Sequence, residues 1–133
     1  MNRTPVNPWP WSLNVGYNQA ELVEGARRQL VCAGQTSVDA EGRPQHLDNM
    51  REQITLALDN LEAVLNASDM GLADITRLGI YTTDVDVDEA MQHFDLLGAR
   101  FGPVKAAPPM TLLGVTQLAI PGLLFEIEAT AAD

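Results

Sequence analysis

The chain has a single cysteine, only eight lysines and arginines against 18 acidic residues, and two histidines in 133 residues. Each scarcity excludes something. One cysteine, Cys32, cannot form an internal disulfide, and the first eleven residues are polar and proline-broken, unlike a secretory leader. A reducing cytoplasm is the expected home. The formal net charge of −10 repels phosphate backbones and anionic lipid surfaces, so nucleic acid and membrane surfaces are not expected partners. No apolar run approaches the roughly 20 residues of a membrane span. Cys32, His46 and His93 lack the spacing of a zinc site, and no phosphate loop, nucleophile elbow or dinucleotide fingerprint is present. No metal and no cofactor is expected. Cys32 reads as a buried, inert thiol in preference to a nucleophile.

What is present patterns as one α+β domain over residues 1–133. Asn7, Pro8, Trp9, Pro10 and Trp11 predict an extended or turning arm, its tryptophans packed on the body or on a neighbouring subunit. Residues 22–24 and 29–32 read as two short strands, with Gly25 turning them into a hairpin. From Leu47, apolar residues recur at Met50, Ile54, Leu58, Leu61 and Leu65 in steps of three and four, one face of an α-helix. Glu52, Asp59 and Glu62 fall off that stripe and read as solvated surface.

Residues 75–83 form a β-branched strand. Asp86 and Glu89 have capping-box spacing before a second helical stripe of Val87, Met91, Phe94, Leu97 and Phe101, ended by Gly102 and Pro103. Strands are predicted at 111–118 and 123–130, separated by a turn at Pro121 and Gly122. The order is ββαβαββ. Two helices cannot cover both faces of this mixed sheet, so they should pack on one face. In the last strand Leu123, Phe125 and Ile127 alternate with Leu124, Glu126, Glu128 and Thr130, which leaves the second face semi-polar and suited to association between subunits.

Two segments carry a resemblance: Pro108, Pro109, Met110, Thr111, Leu112, Leu113, and then Glu126, Ile127, Glu128, Ala129. With Gly16, Tyr17 and Gln19, with Ala33, Gly34 and Gln35, with Asn60 and Leu61, and with Tyr81, Thr82, Thr83 and Asp84, the series resembles the YjgF/RidA family of reactive intermediate deaminases. The resemblance implies a chorismate mutase-like fold and a homotrimer whose sheets face one another, with small-molecule pockets at the subunit clefts. It implies hydrolysis of enamines and imines, with Glu126 organising the attacking water and Tyr17 lining the pocket.

The family's enzymes hold the substrate carboxylate with an arginine whose counterpart here is Met110. Methionine neither donates a hydrogen bond nor carries charge, and a charged hydrogen bond is worth about 1.5 to 3 kcal/mol. Activity on 2-iminopropanoate is therefore expected to fall by roughly a hundredfold or more. Lys105, five residues earlier, could supply a replacement cation, with Arg77 and Arg100 behind it. A pocket with a polar wall at Glu126 and Gln35 and an apolar one at Met110 and Leu112 fits two functions. One is a hydrolase or deaminase of neutral or amine-bearing imines; the other is a non-catalytic binding or sensing module. A ribonuclease or translation inhibitor, labels some members carry, fits the acidic balance poorly.

Overall fold

The computed structural model describes residues 1–83 and 86–133, so Asp84, one of the landmarks above, lies outside the described residues. Strands run at β1 (Asn2–Val6), β2 (Ala20–Glu24), β3 (Gln29–Val31), β4 (Ile75–Thr82), β5 (Met110–Gly114) and β6 (Phe125–Ala132). Helices are α1 (Met50–Asn66), α2 (Val87–Met91) and α3 (Asp95–Phe101), with 3₁₀ turns at Pro10–Val15 and Leu72–Asp74. A four-stranded mixed sheet has the order β3-β6-β4-β5, with β4 and β5 parallel; β1 and β2 form a separate antiparallel pair.

The predicted hairpin does not form. Gly25 does turn the chain, at φ +70°, but β2 pairs with β1 and β3 pairs with β6. β1 has no apolar alternation to announce it and contains Pro5, which a two-stranded edge tolerates. Tertiary contacts hold it instead: the Arg3 guanidinium pairs with Glu21 and donates to the carbonyls of Ala73 and Ile75. The predicted arm does turn, since Pro10–Val15 closes a 3₁₀ turn, but Trp9 and Trp11 are exposed in the single chain and not packed on its body.

α1 begins at Met50, three residues after Leu47, because Asn49 caps it by accepting a hydrogen bond from the Glu52 amide at 3.0 Å. Asn49→Ala is expected to cost about 1 kcal/mol, read as a lower denaturant midpoint at unchanged slope. The helix buries Ile54, Leu58, Leu61 and Leu65 completely, against Phe125, Ile127 and Ala131 of β6. Each such aliphatic side chain contributes about 1.5 to 3 kcal/mol. All three helices therefore lie on one face of the sheet, as the two stripes predict.

The second stripe is not one helix. Residues 92–94 turn through bonds three residues back, such as His93 N–H to the Ala90 carbonyl at 3.0 Å and Phe94 N–H to Met91 at 3.1 Å. That tightening swings Met91 out to 46% exposure and brings Phe94 edge-on to Phe125, centroids 6.4 Å apart. β5 ends at Gly114, four residues short of the predicted limit. β4 lies between β5 and β6, so the last two strands are not neighbours.

Candidate functional site

β6 sorts its side chains by parity: Phe125, Ile127, Ala129 and Ala131 face the helices, while Glu126, Glu128 and Thr130 stand half-buried on the other face. Both carboxylates need bare backbone beside them. A Cβ on Gly34 would lie 2.7 Å from the Glu126 carboxyl carbon, and one on Gly79 would lie 2.6 Å from Glu128 Oε1. These two glycines are the seats of the carboxylate pair. Tyr81, opposite Glu126 in the β4–β6 register, donates its hydroxyl to Glu128 Oε1 at 2.5 Å. That bond to a charged acceptor, before burial, raises the Tyr81 phenol above its ordinary range.

Glu126 has no such partner. Burial first, and the neighbouring Glu128 charge second, push its carboxyl above the usual glutamate value, with no donor among the described residues to counter them. Gln35 exchanges backbone hydrogen bonds with Ile127 at 2.7 and 3.0 Å, which places Gly34 beside Glu126. Its side-chain amide turns back onto the Ala33 carbonyl at 3.2 Å. The loop that follows is pinned by Asn60, whose amide donates to the carbonyls of Thr36 and Val38 at 2.9 and 3.0 Å.

Met110 and Leu112 are elsewhere. The register pairs them with Leu78 and Ile80, both fully buried on the helix face, so they pack against the core on the side of the sheet opposite Glu126. The predicted pocket, with Glu126 and Gln35 on one wall and Met110 and Leu112 on the other, does not close within one chain. Thr111, not Met110, shares the Glu126 face; Arg77 donates to its hydroxyl at 3.3 Å. The chain does bring the Tyr17 segment to Met110. Asn18 N–H bonds the Ala107 carbonyl at 2.9 Å, Gly16 and Met110 line one cavity, and the Tyr17 ring stands at 89° to that of Trp11.

Of the three replacement cations, two are committed to other places. Arg100 is held by Glu62 at 2.6 Å and Asp59 at 2.7 Å, which makes those two acids ion-pair partners and not merely solvated surface. Lys105 sits exposed at φ +53° in a groove with Arg3, Glu21 and Val104. Arg77 alone of the three is on the Glu126 face. Cys32 is 6% exposed and burial pushes its thiol up, which disfavours the reactive thiolate. Among the described residues no three His, Cys, Asp or Glu side chains are grouped to hold a metal.

Sequence reasoning did not assign Tyr81, Glu128, Gly34 or Gly79 to the site. Two signals pointed to them: carboxylates two apart on a strand share a face, and a glycine inside a β-branched strand marks a close approach.

The family described as Endoribonuclease L-PSP matches residues 12–133. The chain belongs to that family. Similar solved structures bear its other names. YyfB of Yersinia pestis, from the conserved Rid family, is 32% identical with both chains fully covered and a TM-score of 0.84. Rv2704 of Mycobacterium tuberculosis, of the YjgF/YER057c/UK114 family, is 31% identical over 99% of this chain and 100% of its own, with a TM-score of 0.65. The mitochondrial protein mmf2 of Schizosaccharomyces pombe is 28% identical over the whole of both chains. The YjgF/Rid resemblance of the two segments is thus a family membership, and the L-PSP-type fold is shared along the entire chain. No helix among the described residues is long and apolar enough to cross a membrane.

Proposed function

We propose that this L-PSP family member hydrolyses C=N bonds of small imines that lack a carboxylate, as a homotrimer whose semi-polar sheet faces meet and whose active clefts lie between subunits. The observation that carries the reading is the Glu126 carboxyl: half-buried, seated over Gly34, and without a hydrogen-bond donor among the described residues. A carboxylate tied into a structural ion pair would suit a binding module; an untied one with a raised proton affinity suits a base.

In the reaction, Glu126 takes a proton from water as the oxygen attacks the imine carbon, then returns it to nitrogen. The carbinolamine collapses to a carbonyl compound and ammonia or an amine. Substrate choice follows from charge. Within one chain Met110 and Glu126 lie on opposite sides of the sheet, so the proposed cleft joins the Met110 of one subunit to the Glu126 of another; there Met110 offers no hydrogen bond to an anion, and Glu126 and Glu128 would repel one, whereas a neutral imine meets neither penalty. The ribonuclease activity in the family's description is poorly supported here, because a −10 chain with two carboxylates on its open face disfavours a phosphate backbone. The lone, buried Cys32 suits a reducing compartment such as the cytoplasm.

The test is a pH profile. A base must be ionised to act, and Glu126 holds its proton to a higher pH than an ordinary glutamate. The expected kcat/KM therefore rises with pH along a single limb whose midpoint lies above about 4.3, the usual glutamate value. A profile flat from about pH 4 to 8 would remove Glu126 from the mechanism.

A further inference from the structure

Gly98 stands in the middle of α3, where glycine is less favourable than alanine because it has the most backbone freedom to lose. Nothing in the backbone or its neighbours requires it. Its φ is not in the left-handed region, and a Cβ built there meets no heavy atom within 4 Å. What lies off that bare helix position is a cavity of about 150 Å³, lined by Val15, Phe94, Leu97, Phe101, Pro108 and Met110. No charged residue lines it. Leu97 and Phe101 are buried, and Val15, 59% exposed, stands at the solvent side.

Three separate elements converge to make this space: the end of the first 3₁₀ turn, α3, and the start of β5. An alanine or leucine at position 98 would strengthen the helix and fill part of the void. The pocket opens to solvent at Val15, and its volume matches that of an apolar cavity that admits one benzene-sized molecule. A charged group finds no charged side chain there and would lose part of its hydration without compensation.

We propose that this cavity is a binding site for one uncharged, phenyl-sized apolar group, and that the imines this chain acts on carry such a group, seated on one subunit while the Glu126 that attacks them belongs to a neighbouring one. The second half rests on the hydrolase reading above; the first does not. Met110 then has a positive role, as a polarisable, adaptable wall against an aromatic or branched ligand, where a guanidinium would be stranded.

The full chain, labelled at methionine and leucine methyls, would be titrated with toluene and separately with benzoate. Saturable shifts of the Met110 and Leu97 methyls with toluene are expected, with at least a tenfold weaker response to benzoate. Gly98→Leu, checked for folding by its melting curve, is expected to lose the toluene response. Absence of a saturable response in the wild type, an equal response to benzoate, or a well-folded Gly98→Leu that still binds toluene would each overturn the site. The wild-type comparison stands even if Gly98→Leu fails to fold. Hydrolysis of a neutral aryl imine is then measured on the same protein. Toluene binding without hydrolysis would retain the cavity and sink the enzyme reading; hydrolysis without toluene binding would do the reverse.

Discussion

Glu126→Gln is expected to lower kcat/KM for a neutral imine by about 10²- to 10⁴-fold, the usual range for loss of a positioned acid–base group, without lowering stability at neutral pH. The two halves separate chemistry from folding. The Glu126 carboxyl binds its proton more tightly in the folded chain than in the unfolded one, so ionisation opposes folding. That opposition is absent at low pH, develops as pH rises through the unfolded-state value, and is complete above the folded-state value. An uncharged amide of the same shape removes it. The melting temperature of Glu126→Gln should therefore match the wild type in acid and equal or exceed it at neutral pH. A variant that loses activity and melts lower at neutral pH would mean that Glu126 is a structural residue.

Gln53→Leu is expected to be the most destabilising single change near the site, by about 3 kcal/mol. Gln53 is fully buried in α1, and its amide donates to the carbonyls of His46 and Gly122 at 3.1 and 3.2 Å while its oxygen accepts from Leu124 N–H at 2.7 Å. Leucine keeps the volume and strands three backbone groups, each of which costs about 1 to 3 kcal/mol when buried without a partner, less what water recovers. Because Leu124 is two residues before Glu126, the loss also loosens the start of β6. Chemical denaturation measures the first effect. A change under about 1 kcal/mol would show that water replaces the amide at little cost.

The parts of this fold that could be read from the sequence are those whose cause is local. α1 is legible because Met50, Ile54, Leu58, Leu61 and Leu65 repeat at the period of the helix that buries them. The two-faced character of β6 is legible for the same reason at period two. β1 is not, since Arg3 secures it by reaching Glu21, Ala73 and Ile75 across the fold. β3 was visible as a strand but not its partner, because its pairing with β6 spans about a hundred residues and Gly25 offers a nearer, unused alternative. Landmark order places Met110 at the start of its strand, but which face it takes is decided by its register with Leu78. Hence the carboxylate pair was half legible: Glu126 and Glu128 by parity, their glycine seats and the Tyr81 clamp only in three dimensions.

The most direct measurement is a side-by-side rate comparison on the wild-type protein: hydrolysis of a neutral, carboxylate-free aryl imine against 2-iminopropanoate at equal concentration and pH. The expected result is a kcat/KM at least about a hundredfold higher for the neutral imine, the factor that roughly 2.7 kcal/mol of lost charge pairing represents. Equal rates, or faster turnover of 2-iminopropanoate, would mean that another cation, Arg77 before the others, holds the carboxylate and that Met110 does not set the substrate class.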